Sequence, residues 1–203
     1  MEDIKILANA GVERIGIPID AATEEIFDKI KGAGAKGPYK MESQLIMLEK
    51  AVEIFGKGRV STHLIVGLGE TEKDLAKMMQ KCVDMGVLPS LFAFTPVAGT
   101  AMENRRQPPI SKYRRMQLAR YLIVNGICRF ENMSFDEGGR LLNYGVDNET
   151  IRKIVESGEP FLTSGCPGCN RPYYNERPGG LIYNYPRPLT RGEIARIVEE
   201  LNE

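Results

Sequence analysis

Short apolar runs alternate with amphipathic stretches along most of the chain, and this alternation restricts the fold more than any other feature. Three early runs have strand character: residues 14–19, 60–66 and 90–94. Helical spacing of apolar residues marks the stretches around them: residues 23–31, 41–55, 71–85 and 111–124. Strands separated by helices pair in parallel, because each connection has to cross back over the sheet. We therefore expect an α/β protein, and both a doubly wound sheet and part of a (β/α) barrel fit the pattern.

The carboxy-terminal part of the chain has a different character. Residues 127–135 are expected to form a further strand and residues 148–156 a short helix. The stretch from 160 to 189 is rich in Gly, Pro, Asn and Tyr and has no period, before a last helix that opens with a capping box at Thr190 and Glu193. The sequence thus predicts two parts, residues 1–159 and an irregular, cysteine-containing extension over residues 160–203.

The charge balance excludes some classes of partner. The chain has 27 Lys and Arg against 27 Asp and Glu, which argues against nucleic acid and against an anionic membrane surface. No apolar run approaches the roughly 18 residues of a membrane span. The first residues are acidic and lack the apolar core of a signal peptide. We expect a cytoplasmic protein in which the four cysteines stay reduced.

One strand runs into a glycine-rich turn. Residues 64–71 read LIVGLGET, so that bare backbone at Gly67 and Gly69 follows an apolar strand and precedes Glu70 and a helix. Ligands of parallel α/β proteins bind at this end of the strands. A tight strand-to-helix turn without a ligand explains the same residues.

Three motifs in order resemble the radical S-adenosylmethionine (SAM) enzymes, and most closely the biotin synthases and their relatives. Residues 61–70, STHLIVGLGE, resemble the fifth barrel strand of that family. Residues 17–22, IPIDAA, resemble the end of the fourth strand, and residues 92–100, FAFTPVAGT, resemble the sixth strand and its turn. The resemblance covers residues 10–140 and implies half of a TIM-type (β/α) barrel with parallel strands.

The resemblance also implies where SAM binds. Asp20 corresponds to the acid that holds the ribose hydroxyls, and Ile65 to the residue that packs on the adenine. The remaining residues that the resemblance assigns to the cofactor are Gly67, Glu70, Phe94, Pro96, Gly99 and Thr100.

Strand geometry agrees with that assignment, because side chains alternate across a strand. If Ile65 faces the cofactor, Ser61 and His63 share its face, whereas Thr62, Leu64 and Val66 face the helices. His63, the one histidine of the chain, is a secondary candidate for a substrate contact or proton donor, with a structural role as the alternative.

Two departures from the family affect the predicted activity. The Cys-x-x-x-Cys-x-x-Cys motif that holds the SAM-cleaving [4Fe–4S] cluster is absent, and in the family it follows the first barrel strand, upstream of the matched region. The resemblance therefore implies an upstream half-barrel chain or self-association, and a chain that is inactive alone. Ser61 stands where biotin synthases carry a cysteine of their auxiliary cluster, and Arg129 lies near the family's arginine ligand.

Cys166 and Cys169 form a Cys-Pro-Gly-Cys pair with the shape of a metal knuckle. Metal or iron–sulfur binding, thiol redox chemistry and an inert turn all remain open for this pair, and Cys128 is a secondary candidate ligand. By resemblance to lipoyl synthases, the pair helps to hold a sulfur-donating auxiliary cluster. The expected function is part of a radical SAM enzyme that inserts sulfur, as in lipoyl or biotin synthesis, with a lipoyl-carrier-type protein as a possible substrate. The alternative is a non-catalytic metal-binding or scaffold module.

Overall fold

A three-stranded parallel sheet forms the centre of the molecule in the computed structural model, which describes residues 2–164 and 179–203. The strands are β1 (Ile15–Gly16), β2 (Val60–Val66) and β3 (Val87–Ala93), and they lie in the order β1-β2-β3. Gly16 pairs with Ser61, and Ile65 pairs with Phe92. The predicted α/β class and the parallel pairing are confirmed.

Helices connect these strands in the alternation that the sequence predicts. Helix α1 (Glu2–Asn9) precedes the sheet, α2 (Glu24–Ile30) and α3 (Met41–Phe55) join β1 to β2, and α4 (Glu72–Asp84) joins β2 to β3. Helix α5 (Ile110–Val124) follows β3. Their bounds follow local signals: Thr71 and Asp74 form a capping box at the start of α4, and Gly56 with φ 88° ends α3.

The predicted strand over residues 127–135 is wrong for most of its length. The backbone N–H groups of Ile127 and Cys128 donate to the carbonyl oxygen of Leu122, so this apolar run closes the end of α5 and does not join the sheet. A 3₁₀ turn follows at Phe130–Asn132. Only β4 (Ser134–Phe135) pairs, and it pairs antiparallel with β5 (Leu141–Asn143).

The two faces of the parallel sheet differ in burial. Thr62, Leu64 and Val66 of β2 are buried, as predicted, whereas Ser61, His63 and Ile65 on the opposite face are only half-buried. Parallel sheets are normally covered on both faces. We call the half-buried side the open face of the sheet.

The carboxy-terminal part packs on α5, and the buried side chain of Arg114 makes several of the contacts. It comprises α6 (Asn148–Ser157), a 3₁₀ turn at Glu159–Phe161 and α7 (Arg191–Asn202). The guanidinium of Arg114 donates to Glu200 at 2.8 Å and to the carbonyl oxygen of Ile182 at 2.6 Å. It also lies against the rings of Phe161 and Tyr185. Arg114 therefore anchors the described residues of the predicted irregular extension to α5.

Candidate functional site

The carboxyl ends of β1 and β2 bring two of the predicted site residues side by side. Asp20 lies beyond β1 and forms a parallel bridge with Leu64. Its N–H donates to the carbonyl oxygen of His63, and its own carbonyl oxygen accepts from the N–H of Ile65, each at 2.8 Å. The carboxylate of Asp20 and the side chain of Ile65 thus belong to adjacent strand positions at the edge where ligands of parallel sheets bind.

Asp20 has an uncommon backbone conformation and a specific partner. Its φ is 62°, in the left-handed region that costs a residue with a Cβ atom about 1–2 kcal/mol. The ammonium group of Lys31 donates to its carboxylate at 2.8 Å and to the carbonyl oxygen of Pro18 at 2.7 Å. Strained residues of this kind concentrate at functional sites.

His63 belongs to β2 and lies on the open face of the sheet. Its ring stacks at a tilt on Phe92, with ring centroids 4.5 Å apart. Burial lowers the pKa of His63, and the smaller effect of nearby Asp20 raises it. The imidazole is therefore neutral at pH 7, which leaves it able to accept a proton or a hydrogen bond from a ligand on this face.

Glu70 orders the turn between β2 and α4. Its two carboxylate oxygens accept from the backbone N–H groups of Gly67 and Leu68, each at 2.8 Å, and the ammonium group of Lys112 donates to one of them at 2.9 Å. The sequence analysis assigns Glu70 to the cofactor. In the structure both of its oxygens accept from the loop, so Glu70 fixes the backbone of the turn between β2 and α4.

Side chains of the protein itself pack closely against the backbone of Gly67. A Cβ atom at Gly67 would come within 3.1 Å of Pro108 and 3.2 Å of Phe94, at a φ of 109°. Phe94 is buried, and its N–H donates to the carbonyl oxygen of Val66 at 2.9 Å. The motifs around Gly67 and Phe94, which are separate in sequence, therefore meet at the edge of the sheet.

The turn after β3 is exposed. Pro96 is half-buried, whereas Gly99, with φ 80°, and Thr100 are exposed. The hydroxyl group of Thr100 donates to the carbonyl oxygen of Val97 at 2.7 Å, and the N–H of Gly99 donates to Glu103. The turn is held by its own hydrogen bonds, and its tip stays accessible.

The cysteine candidates separate into two groups. The thiol of Cys128 is buried and donates to the carbonyl oxygen of Tyr144 at 2.6 Å, and burial raises its pKa. Arg129 is exposed and pairs with Asp84 at 2.9 Å. Cys166 and Cys169 lie outside the described residues. Within residues 2–164 and 179–203 there is no group of three or more His, Cys, Asp or Glu side chains that would hold a metal ion.

Sequence reasoning missed the two lysines of this site. Lys112 stands in the first turn of α5, where the helix dipole disfavours a cation, and that mismatch is a sequence signal for a specific acidic partner. Lys31 follows α2 and carries no such signal.

Together these features define an α/β protein with a half-open site at the carboxyl edge of a parallel sheet, where Asp20 and Glu70 are each paired with a lysine. No protein-family model, curated protein or solved structure matches the chain. In the part of the chain that the structure describes, no helix combines the length and the apolar character needed to cross a membrane.

Proposed function

We propose that this chain is part of a radical SAM enzyme and contributes the adenosine side of the SAM site. The observation that carries the proposal is the junction of Asp20 and Ile65, whose backbones are joined by a 2.8 Å hydrogen bond at the strand ends. An acidic side chain beside an apolar one suits a nucleoside, since the carboxylate accepts from ribose hydroxyls and the isoleucine packs on the base.

We further propose that the sheet is an arc of a (β/α) barrel. The sequential order β1-β2-β3 supports this. Crossover connections between parallel strands have the same hand, so when each new strand is added on the same side, all connecting helices lie on one face of the sheet. The open face, with Ser61, His63 and Ile65, is then the interior of the barrel. A half barrel needs cover for this face, and we assign the cover to an upstream half-barrel chain or to a second copy of this chain.

The side chains of Asp20 and Ile65 suit the ribose and base of SAM, and each residue of the site would have a limited task. When bound, SAM together with a reduced iron–sulfur cluster supplies the one-electron chemistry that breaks an unactivated C–H bond. Asp20 orients the ribose, Ile65 excludes water from the base, and Glu70 fixes the backbone of Gly67. His63, neutral at pH 7, is the group on this face that can take up a proton.

Sulfur insertion, as in lipoyl or biotin synthesis, is the reaction class that we propose. Cys166 and Cys169 would supply two ligands of an auxiliary iron–sulfur cluster, and the remaining ligands would come from the partner chain. A lipoyl-carrier-type protein is the proposed substrate class. The free thiols of Cys82 and Cys128 fit a reducing compartment, which we take to be the cytoplasm.

Titration with SAM and with adenosine tests the nucleoside site. We expect weak binding by the isolated chain, because the cluster that binds the methionine end of SAM is not part of it. Asp20→Asn should weaken adenosine binding about tenfold, as expected for loss of a charge-assisted hydrogen bond. Asp28→Asn, which changes an exposed aspartate of α2, is the control. Equal binding by the wild type and Asp20→Asn would refute the assignment of Asp20.

Anaerobic reconstitution with iron and sulfide tests the auxiliary cluster separately. We expect iron uptake by the wild type and its loss in the Cys166→Ala/Cys169→Ala variant. Cys82→Ala is the matched control, because Cys82 is buried in the core and its thiol pKa is raised to about 12 by burial. Uptake that is unchanged in the double variant would exclude these cysteines as ligands.

The second candidate function is a non-catalytic metal-binding or scaffold module. The contact between Lys31 and Asp20 favours it, because the ammonium group already occupies the carboxylate that a ribose would need. Iron uptake without any binding of SAM or adenosine, in the presence or absence of a partner half, would favour this function over the enzyme.

A further inference from the structure

A cavity lies among α5, α6, α7 and the β4–β5 hairpin. Its volume is about 740 Å³, within the range of small-molecule sites. The residues that line it include none of those assigned above to the strand-end site. The cavity is therefore separate from the site at the strand ends.

The walls of this cavity are aliphatic. Seven Leu, Ile and Val side chains from three helices and the hairpin line it: Leu118, Leu141, Leu142, Ile151, Val155, Val198 and Leu201. Two of them are unusually accessible for aliphatic side chains, since Leu142 is 65% and Val198 is 43% exposed. Walls of this composition suit a hydrocarbon body.

Two polar atoms in the lining have no hydrogen-bond partner within the described residues. They are Nη1 of Arg115 and the hydroxyl oxygen of Tyr144, and both are sealed from bulk water. The other side of the Arg115 guanidinium is occupied, because Nε and Nη2 donate to the carboxylate of Glu72 at 2.8–3.2 Å. A buried polar atom without a partner is rare in folded proteins. Since an arginine nitrogen only donates, the group that would satisfy Nη1 is an acceptor.

The charges around the cavity balance. Three arginines line it, Arg115, Arg140 and Arg152, against two lining carboxylates, those of Asp136 and Glu156. The third carboxylate belongs to Glu72, which does not line the cavity but pairs with Arg115. A carboxylate or an ammonium group placed here would have no net countercharge to offset its desolvation. An uncharged acceptor, such as a carbonyl oxygen, avoids that cost.

We propose that this cavity binds an uncharged acyl compound, an amide or ester with an aliphatic body. The carbonyl oxygen accepts from Nη1 of Arg115 and from the hydroxyl group of Tyr144, and the hydrocarbon body lies along the walls that Leu142 and Val198 extend toward solvent. Because both donor atoms are sealed from water in this structure, binding of the carbonyl would require a lining side chain to rotate and expose them.

Calorimetric titration with decanamide, decanoate and decylamine tests the class of ligand. We expect decanamide to bind tightest, and the two charged compounds to bind at least about tenfold more weakly because of their desolvation. Equal affinity for all three compounds would show that the cavity takes hydrocarbon without reading the head group, and this would overturn the proposal. Absence of decanamide binding would overturn it as well.

The Tyr144→Phe variant tests the donors. It should bind decanamide about five- to tenfold more weakly, the effect of one hydrogen bond, whereas Tyr39→Phe at an exposed site outside the cavity should bind as the wild type does. Without ligand, Tyr144→Phe should melt no lower than the wild type, because its hydroxyl group has no partner to lose. Unchanged decanamide affinity, or a lowered melting temperature without ligand, would refute the role of Tyr144.

Discussion

Lys31 donates a 2.8 Å hydrogen bond to the carboxylate of Asp20, a residue held at a φ of 62°. The pair lies at the carboxyl edge of the sheet, and both side chains are about one-fifth exposed. Glycine adopts this backbone conformation without the steric cost that a Cβ atom brings. Aspartate tolerates this conformation better than most residues with a Cβ atom, and here its carboxylate also accepts the ion pair from Lys31.

Replacing Asp20 by glycine separates the backbone cost from the function of the side chain. We expect Asp20→Gly to remain within about 1 kcal/mol of the wild type in free energy of unfolding, because relief of the left-handed conformation offsets loss of the ion pair. Asp20→Ala keeps the Cβ atom and should be about 1 kcal/mol less stable than Asp20→Gly. Both variants should lose adenosine binding. Urea denaturation measures the stability of each variant, and titration measures its binding of adenosine.

Lys36 provides the control for this comparison. Among the described residues, Lys36 is the other non-glycine residue with a positive φ, 57°, and its side chain is exposed. Lys36→Gly should leave adenosine binding unchanged. If Asp20→Gly binds adenosine as the wild type does, the carboxylate has no role in binding and the assignment of Asp20 fails.

Lys31 should act as a competitor for the carboxylate of Asp20. Lys31→Met keeps much of the aliphatic stem and removes the ammonium group, so a ribose would no longer have to displace an ion pair. We expect adenosine binding to tighten about threefold to tenfold, in line with the modest energy of a partly exposed ion pair. Lys29→Met is the matched control, because Lys29 pairs with Glu25 on the exposed side of α2, the helix that Lys31 follows. Weaker binding by Lys31→Met would show instead that the lysine contacts the ligand.

Local signals account for the parts of the fold that the sequence predicts well. The capping boxes at Thr71 and Thr190 involve residues three positions apart, and the face of β2 follows from alternation alone. Residues 127–135 show the limit of such reasoning. Their apolar pattern fits a strand, but bonds to Leu122 at the end of α5 take the backbone away from the sheet.

For the candidate site, too, local sequence pattern predicts some features and not others. The positions of Asp20 and Ile65 follow from their strands, whereas the partners of the charged groups do not follow from local pattern. Glu70 meets Lys112 across 42 positions, and outside the site Glu72 meets Arg115 across 43 positions. Such pairs depend on how α5 packs on α4. The periodicity of a single sequence predicts the two helices but not how they pack on each other.

Breaking the ion pair of Glu72 and Arg115 by removing one partner should destabilise the fold strongly, whereas replacing both partners should cost much less. Glu72 also accepts from the N–H of Leu141 at 2.7 Å, so it joins α4, α5 and β5. Glu72→Gln leaves the buried guanidinium without a countercharge, and we expect a loss of about 3 kcal/mol in the free energy of unfolding. Urea denaturation with two probes measures it.

Two further variants check the origin of that loss. Adding Arg115→Met to Glu72→Gln should recover more than half of it, because no unpaired charge is then buried. Glu149→Gln, which breaks an exposed pair with Lys153, should cost less than about 1 kcal/mol. A double variant less stable than Glu72→Gln would contradict this account and would indicate that the arginine stabilises mainly through its packing.

The start of α7 should weaken in acid because of Glu193. The hydrogen bonds that Arg187 donates to its carboxylate, together with those from Thr190, lower the pKa of Glu193 from 4.5 to about 2. A carboxyl group whose pKa is lower in the folded state stabilises the fold above its unfolded pKa, and this stabilisation is lost as the pH falls from about 4.5 toward 2. Because Arg187 is more than half exposed, we expect a contribution of only about 1 kcal/mol.

Comparison of the wild type with Glu193→Gln over a range of pH isolates this contribution. At pH 7 the variant should be less stable by about 1 kcal/mol, and the difference should shrink toward zero as the pH approaches 2. Arg187→Met removes the largest cause of the lowered pKa and should reduce the pH dependence while leaving the capping bonds of Thr190 in place. A difference between wild type and Glu193→Gln that stays constant from pH 7 to the acid limit would mean that the helix cap, and not the ionised carboxylate, carries the stabilisation.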